Sequence, residues 1–216
     1  MDLFEQPASI IIKAMLTVAI QAGGDSRRMG QDKALIPFLG RPLIQRVMER
    51  VAILADEILV TTNKPEAFGF LQVPLVADVI PGTGALGGLY TALQAASYPL
   101  VAVVACDMPF VNPQILSAAR RLLEETGADV AIARTEEGFE PFHAVYRRET
   151  CLAAVGLALA AGERKLISWF AAVQVTLLPS EIITRYDPQQ LAFWNLNTPQ
   201  ELAEAETLAR TSESEP

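Results

Sequence analysis

Short apolar runs alternate along the chain with longer segments in which apolar residues recur every three or four positions. Runs rich in Val, Ile, Leu and Ala predict strands that are buried on both faces. The predicted strands of the first part are 16–21, 57–62, 73–77, 100–106 and 128–133. The segments between them predict helices over 41–54, 86–96 and 113–125, the last with Asn112 as N-cap and Pro113 at its first position.

The second half of the chain has a less regular pattern. It predicts strands over 141–148, 174–178 and 192–196, and helices over 149–161 and 164–172. A last helix is predicted from Thr198-Pro199-Gln200-Glu201, which has the residue types of a capping box with proline at the first helical position.

This order of elements predicts the α/β class. We expect one three-layer α/β/α domain around a mostly parallel, Rossmann-like sheet, because parallel strands need helical crossovers that cover both faces. The domain is predicted to span 16–210, with 1–15 as an N-terminal extension and 211–216 as a frayed tail. Met1 and Met15 are both left open as the native start.

Composition narrows the class of protein. The chain has 216 residues, of which 51% are hydrophobic, so a globular fold is expected. A net charge of −8 disfavours binding to nucleic acid, and no apolar run reaches the length of a membrane span. The two cysteines, Cys106 and Cys151, are predicted to be reduced core residues of a cytoplasmic protein.

Charge is unevenly distributed along the chain. Between Gln21 and Arg46 there are five basic and two acidic residues, whereas the segment from Pro199 to the C-terminus has five acidic residues and one basic residue. A small basic region on an acidic protein favours a small anionic ligand over a polyanion.

The carboxyl ends of the predicted parallel strands are the expected place for a ligand site. The residues that directly follow the strands are Ala22-Gly23-Gly24, Asn63-Lys64, Asp78 and Asp107-Met108-Pro109. We therefore expect these four segments to meet at one edge of the sheet.

The segment QAGGDSRRMGQDKAL (21–35) follows the first strand. Its Gly23-Gly24 pair lets backbone N–H groups approach a phosphate, and Arg28 and Lys33 supply positive charge. The spacing differs from that of an ATPase P-loop, because Lys33 comes three residues after Gly30 and no Ser or Thr follows it.

A second glycine-rich segment, Gly82–Gly87, matches GxGxxG and precedes Asp107 by twenty residues. This spacing is formally that of a dinucleotide site, and an NAD-dependent dehydrogenase is one alternative. Pro81 separates the glycines from the preceding strand, and that strand is the third rather than the first. We interpret the segment as a turn and a small-residue helix start that packs closely on the sheet.

Candidate catalytic groups are few. Asp107 is the predicted anchor for Mg²⁺, which takes one or two carboxylates together with phosphate oxygens and water. Asp32 is the weaker candidate, because it could pair with a neighbouring arginine. His143 is the one histidine of the sequence, and its place in a strand pattern favours a packed or hydrogen-bonded residue.

Six segments together resemble the molybdenum cofactor guanylyltransferases, the MobA family of the nucleotidyltransferase fold. The first, AGGDSRRMGQDKAL, resembles the family signature AGGxSxRMGxDKxL. The others are PGTGALGGLYTAL, CDMPFV, PFHAVYRRE, GERKLISWF and FWNLNTPQEL. The resemblance covers Leu16 to Arg210 and implies a nucleotide-diphospho-sugar transferase-like domain that transfers GMP from GTP to molybdopterin-bound molybdenum and releases pyrophosphate.

The resemblance also implies nucleotide-binding residues. Gln21-Ala22-Gly23-Gly24 would surround the guanine nucleotide, Lys33 would contact its phosphates, and Asp78 would help to hold the nucleoside. Asp107 would hold Mg²⁺. The Gly23-Gly24 pair is similar to the guanylyl enzymes, whereas cytidylyl relatives usually have alanine-glycine there.

For the second substrate, the resemblance implies that Arg28, Asn195 and Asn197 face the pterin. Molybdoenzyme apoproteins or other proteins of the cofactor pathway are implied as partners. Catalysis would then rest on Arg28, Lys33 and Asp107.

The sequence departs from the family pattern at three positions. Gln21 replaces the usual leucine, Ala85 replaces a proline, and Thr61 stands where some members have asparagine. Roles for Thr61 and Asn63 in nucleotide binding are therefore left open. The alternative functions are a cytidylyltransferase for the same cofactor, a sugar-phosphate nucleotidyltransferase, and a non-catalytic nucleotide-binding module.

Overall fold

A seven-stranded sheet forms the middle layer of the structure, a computed structural model that describes residues 14–23 and 32–214, the last three without their side chains. The strands are β1 (Leu16–Gln21), β2 (Pro37–Phe38), β3 (Arg41–Pro42), β4 (Glu57–Thr61), β5 (Leu75–Val76), β6 (Leu100–Ala105), β7 (Val130–Thr135), β8 (Gly138–Arg147) and β9 (Val175–Leu177). The helices are α1 (Leu43–Val51), α2 (Gly84–Ala95), α3 (Pro113–Thr126), α4 (Arg148–Ala160), α5 (Ser180–Tyr186) and α6 (Pro199–Ser214).

The strand order in the sheet is β5-β4-β1-β6-β8-β7-β9, and β2 and β3 form a separate hairpin. Within the seven-stranded sheet, pairing is parallel except along β8, which runs antiparallel to both β6 and β7. The prediction of a mostly parallel sheet is therefore confirmed. Every residue of β1 and β6 is buried, as expected for central strands with helices on both faces.

Two apolar layers cover the sheet. On one face α1, α3 and α5 contribute residues such as Val47, Ile115 and Ile183 to one core. On the other face α2 and α4 contribute Leu89 and Val155 to a second core. The predicted three-layer α/β/α arrangement is thus confirmed. None of the helices in the described part of the chain has the length and hydropathy of a membrane span.

Helix α6 lies outside these layers and packs on the β2–β3 hairpin. Ala205 and Ala209 of the helix share a small buried cluster with Phe38 and Leu196. The helix extends to Ser214, four residues past the predicted end of the domain at 210. In its last turns the Thr211 hydroxyl donates to the Thr207 carbonyl, and 215–216 lie outside the described residues.

Two predicted elements differ in type from the structure, and one helix was not predicted. The predicted helix over 164–172 is a series of turns that ends in a 3₁₀ helix, Phe170–Ala172, and Ser168 N–H donates to the carbonyl three residues earlier. The predicted strand over 192–196 is wrong, because the Asp187 carboxylate accepts from the N–H groups of Leu191 and Ala192 and stabilises a 3₁₀ turn there. Helix α5 has no counterpart in the prediction.

Candidate active site

A cavity of about 830 Å³ opens at the carboxyl ends of β1, β4 and β6. Its position follows from the strand order. β1 lies between β4 and β6, and the chain continues from β4 toward one edge of the sheet and from β6 toward the other. Gln21 and Ala105 are paired in register at the ends of β1 and β6. Residues that follow these two strands therefore meet at the same point of the edge, as predicted.

Lys33 and Asp107 form an ion pair inside this cavity. Nζ of Lys33 lies 3.2 Å from Oδ2 of Asp107 and donates a 2.7 Å hydrogen bond to Oδ1 of Asn197. Lys33 begins a 3₁₀ turn, Lys33–Leu35, which Asp32 caps by accepting from the Ala34 N–H. The side chains of Lys33 and Asp107 are 19% and 15% exposed, so the pair is only partly screened by solvent.

The electrostatic environment of the pair is set by burial. Burial raises the pKa of Asp107 above its ordinary value, and the charge and hydrogen bond of Lys33 offset only part of this rise. Burial also raises the pKa of the Cys106 thiol well above its usual value, and the carboxylates of Asp107 and Asp32 add to the effect. Cys106 is thus a neutral thiol that lines the cavity, whereas Cys151 is the buried core residue that the sequence predicted.

Asn63 and Asp78 hold each other at the other end of the cavity. The Asn63 amide donates a 2.8 Å hydrogen bond to Oδ2 of Asp78, and the Asp78 N–H donates a 3.0 Å bond to Oδ1 of Asn63. Asp78 is half-buried, and its oxygen lies 4.0 Å from the position a Cβ would take at Gly23. The structure therefore places Asp78 beside the first glycine loop.

Some backbone groups at the end of β1 and directly after it are already hydrogen-bonded to neighbouring strands. The Gln21 carbonyl accepts from Cys106 N–H, and the Ala22 N–H donates to the Thr61 carbonyl. Gln21, Ala22 and Gly23 all line the cavity. A ligand of this segment would therefore meet the surface of Ala22 and the backbone of Gly23, rather than the Ala22 N–H.

The second glycine-rich segment also lines the cavity. Gly84 opens α2 with a φ of +64°, a conformation that L-residues with a side chain rarely adopt. A Cβ at Gly88 would lie 2.7 Å from Oε1 of Gln21, so a larger residue there would require the Gln21 side chain to move. The interpretation as a turn and a closely packed helix start is confirmed, but the segment belongs to the same site as the first loop.

Asn195 and Asn197 reach the cavity from the segment that precedes α6. Leu196 N–H donates to the Asp107 carbonyl, which ties this segment to the end of β6. The Asn197 amide donates to the Asn195 carbonyl, and the Asn195 amide donates to the Phe193 carbonyl. Both asparagines and Phe142 line the cavity near Asp107.

Four further residues were candidates from the sequence: Gly24, Arg28, Asp32 and His143. Gly24 and Arg28 lie outside the described residues. Among the described residues Asp32 pairs with Lys64, at 3.6 Å, and the arginines that precede it in the sequence lie outside them. His143 is fully buried, and its Nε2 accepts from Asn112 N–H, so the prediction of a hydrogen-bonded strand histidine is confirmed.

The donor chemistry of the cavity fits a Mg²⁺ ion that shares its ligands with a phosphate. Asp107 and Asp32 contribute carboxylates to the lining, and Mg²⁺ commonly uses one or two carboxylates with substrate phosphates and water. Within 14–23 and 32–214, no group of three or more Asp, Glu, His or Cys residues could hold a metal by itself. The protein residues present therefore fit a nucleotide-bound ion rather than a closed metal site.

Sequence reasoning missed several residues of this site. The role of Asn63 was left open, yet Asn63 and Asp78 each donate a hydrogen bond to the other. The two residues meet because they follow neighbouring strands. Phe142 was not identified, because β8 runs antiparallel and its first half extends past the carboxyl ends of the other strands. A single sequence carries no clear signal for that strand direction.

The chain is similar to known proteins over most of its length. A family model described as the MobA-like NTP transferase domain matches residues 18–175. A protein of Pelotomaculum thermopropionicum named probable molybdenum cofactor guanylyltransferase is 36% identical over 197 residues, 91% of this chain and 94% of that protein.

Solved structures extend the comparison to the fold. Molybdopterin-guanine dinucleotide biosynthesis protein A from Archaeoglobus fulgidus superposes with a TM-score of 0.79 at 27% identity, over 90% of this chain and 99% of that one. The 2-C-methyl-D-erythritol 4-phosphate cytidylyltransferase from Thermus thermophilus gives 0.61 at 19% identity, over 89% and 98%, and shares the fold.

Proposed function

The chain belongs to the family of MobA-like NTP transferases, and we propose that it transfers GMP from GTP to molybdopterin-bound molybdenum. It is a nucleotidyltransferase. The observation that carries the choice of substrates is its 36% identity over 91% of the chain to a relative named for guanylyl transfer to the molybdenum cofactor. Lys33, Asp107 and Asn197, in contact within one cavity, support the proposal.

In this function the cavity binds two polyanions side by side. The guanine nucleotide lies along Gln21, Ala22, Gly23 and the following Gly24, with Asp78, held by Asn63, toward the nucleoside. Lys33 faces the phosphates. Arg28, Asn195 and Asn197 face the pterin, so the acceptor phosphate approaches the nucleotide near Asp107.

The reaction forms one P–O bond and breaks another. An oxygen of the acceptor phosphate attacks the α-phosphorus of GTP, and pyrophosphate leaves with the electrons of the bond to the β-phosphate. Because the second pKa of a phosphate monoester is about 6, the nucleophile is largely ionised at neutral pH and needs no general base. His143 fits this account, since burial lowers its pKa to about 4 and its Nε2 already accepts a hydrogen bond.

Catalysis then rests on positioning and charge neutralisation. Lys33 balances the negative charge that develops between the α- and β-phosphates, and Asn197 and Asp107 hold its ammonium group in place. Asp107, with Asp32 in the same cavity, would hold Mg²⁺, which would supply positive charge to the phosphates of the nucleotide. Lys33 also stabilises the ionised form of Asp107, whose pKa is raised by burial.

Pyrophosphate release tests this proposal. The protein is mixed with GTP, Mg²⁺ and molybdenum-loaded molybdopterin, and pyrophosphate is measured with and without the acceptor. Acceptor-dependent release with GTP, and much less with CTP, is the expected result. Release with CTP alone would identify a cytidylyltransferase, and GTP binding without release would identify a non-catalytic nucleotide-binding module.

A further inference from the structure

The capping box at the start of α6 has a third hydrogen bond in addition to the two that define such a box. Oε2 of Glu201 accepts from Thr198 N–H at 3.0 Å, and Oγ1 of Thr198 accepts from Glu201 N–H at 3.1 Å, as in any capping box. The same Glu201 oxygen also accepts from Asn197 N–H at 2.5 Å. Asn197 precedes the helix, so this bond fixes the segment that enters the cavity.

The side chain of Asn197 passes this constraint on to the lysine. Its Nδ2 donates to the Asn195 carbonyl at 2.9 Å, which leaves Oδ1 facing the ammonium group of Lys33 at 2.7 Å. Lys33 then contacts Asp107 at 3.2 Å. A continuous series of hydrogen bonds thus runs from a carboxylate on α6 to the candidate catalytic pair.

We propose that Glu201 is a positioning residue for Lys33 and acts on it through Asn197. This inference rests on the proposed function, because it requires that Lys33 contact the phosphates of the nucleotide. A lysine side chain has a flexible four-carbon stem and loses substantial rotamer freedom when it is held in one place. With the Asn197 backbone fixed by Glu201, Lys33 is oriented before the nucleotide binds, and this pre-organisation speeds the transfer step.

Substitution of Glu201 separates geometry from charge. Glu201→Ala removes the acceptor for Asn197 N–H, and we expect kcat to fall about tenfold, because Lys33 is then no longer oriented before the nucleotide binds. Glu201→Gln keeps an acceptor at the same distance, because glutamine also serves in capping boxes, and it should restore most of the rate. Failure of Glu201→Gln to restore the rate would overturn the geometric role.

Two control variants at the same helix separate effects on stability from effects on kcat. Thr198→Ala removes the other half of the capping box without removing the Glu201 acceptor, so it should lower the melting temperature about as much as Glu201→Ala while kcat stays near that of the unchanged protein. Glu204→Ala removes an exposed carboxylate that bonds only Gln200 among the interactions described, and it should leave both quantities unchanged. Equal loss of kcat in Thr198→Ala and Glu201→Ala would contradict the inference.

Binding measurements and a double-mutant cycle complete the test. Glu201→Ala should weaken GTP binding and leave guanosine binding unchanged, because guanosine has no phosphate for Lys33 to contact. In a Lys33→Ala background, Glu201→Ala should have no further effect on kcat, whereas a purely structural effect would multiply with the loss of Lys33. If the unchanged protein transfers no GMP at all, the proposed function fails; if it does and the two losses multiply, only the positioning role fails.

Discussion

Lys33 and Asp107 lie 74 residues apart in the chain, and their side chains meet at 3.2 Å between Nζ and Oδ2. The contact joins the segment after β1 to the segment after β6, the two central strands of the sheet. Lys33 is therefore placed to balance two negative partners, the buried carboxylate of Asp107 and the phosphates of a nucleotide. The first two predictions test the carboxylate and the ammonium group one at a time.

Asp107→Asn keeps the size of the side chain and removes its charge. We expect Mg²⁺-dependent transfer to fall at least about 100-fold, because an amide is a poor ligand for a hard cation and one lost charge-stabilising group costs rates of this order. The fold should persist, since removal of a carboxylate with a raised pKa relieves a desolvation penalty. Steady-state rates and a melting curve measure both effects. Near-normal turnover would exclude Asp107 as the metal ligand.

Lys33→Met keeps the apolar stem and removes the ammonium group. The expected loss of kcat is on the order of 10²-fold, by analogy with the loss of one donor in an oxyanion hole. Arg41→Met serves as the control, because Arg41 is exposed and pairs with Glu49 at a distance from the cavity. A loss of only a few-fold for Lys33→Met would exclude the lysine from stabilising the transferred phosphate.

His143 should make stability depend on pH between about 6.5 and 4. Burial lowers the pKa of its imidazole from 6.5 to about 4 in the native state. In this interval the unfolded chain binds a proton that the native state does not, so the free energy of unfolding falls as the pH falls, by about 3 kcal/mol in total.

The measurement for His143 is a set of urea titrations at several pH values. His143→Gln, which keeps an acceptor for Asn112 N–H and does not titrate, provides the comparison. The difference in stability between the two proteins should shrink or reverse toward pH 4. A difference that is constant with pH would contradict the lowered pKa, and so would an imidazole NMR titration with a midpoint near 6.5.

Gly88→Ala should push the Gln21 amide out of its place. The new Cβ would lie 2.7 Å from Oε1 of Gln21, and overpacking of this kind destabilises proteins by about 1–3 kcal/mol. In a Gln21→Ala background the obstructing atoms are gone, so the same substitution should be much better tolerated. Gly69→Ala, with open space around its Cβ, is the matched control for the glycine itself. Equal destabilisation by Gly88→Ala in both backgrounds would show that the contact is unimportant.

The central part of the fold was predictable because its strands are short, fully buried and bounded by clear helix starts. β1 and β6 carry unbroken apolar runs, and Asn112 caps α3 through bonds to the N–H groups of Gln114 and Ile115. The strand predicted over 192–196 is wrong although most of its residues are apolar. Its first residues form a 3₁₀ turn, because the carboxylate of Asp187, four and five residues earlier, accepts from the N–H groups of Leu191 and Ala192, and this local contact outweighs the strand preference of the apolar residues.

The site was predictable as far as it consists of residues that directly follow strands. Asp78 and Asp107 were identified in this way, and both lie in the cavity. The Lys33–Asn197 hydrogen bond joins residues 164 positions apart and depends on how α6 packs against the β2–β3 hairpin. Contacts of that kind follow from the assembled core rather than from spacing, so the sequence alone could not predict them.

Mass spectrometry of the reaction product tests the central claim most directly. The protein is incubated with Mg²⁺, molybdenum-loaded molybdopterin and an equimolar mixture of GTP and CTP, beside a parallel sample of Asp107→Asn. The account predicts that the acceptor gains the mass of GMP less one water, that one pyrophosphate is released per product, and that the Asp107→Asn sample yields little of either. A product that has gained CMP, or an unmodified acceptor with the unchanged protein, would contradict it.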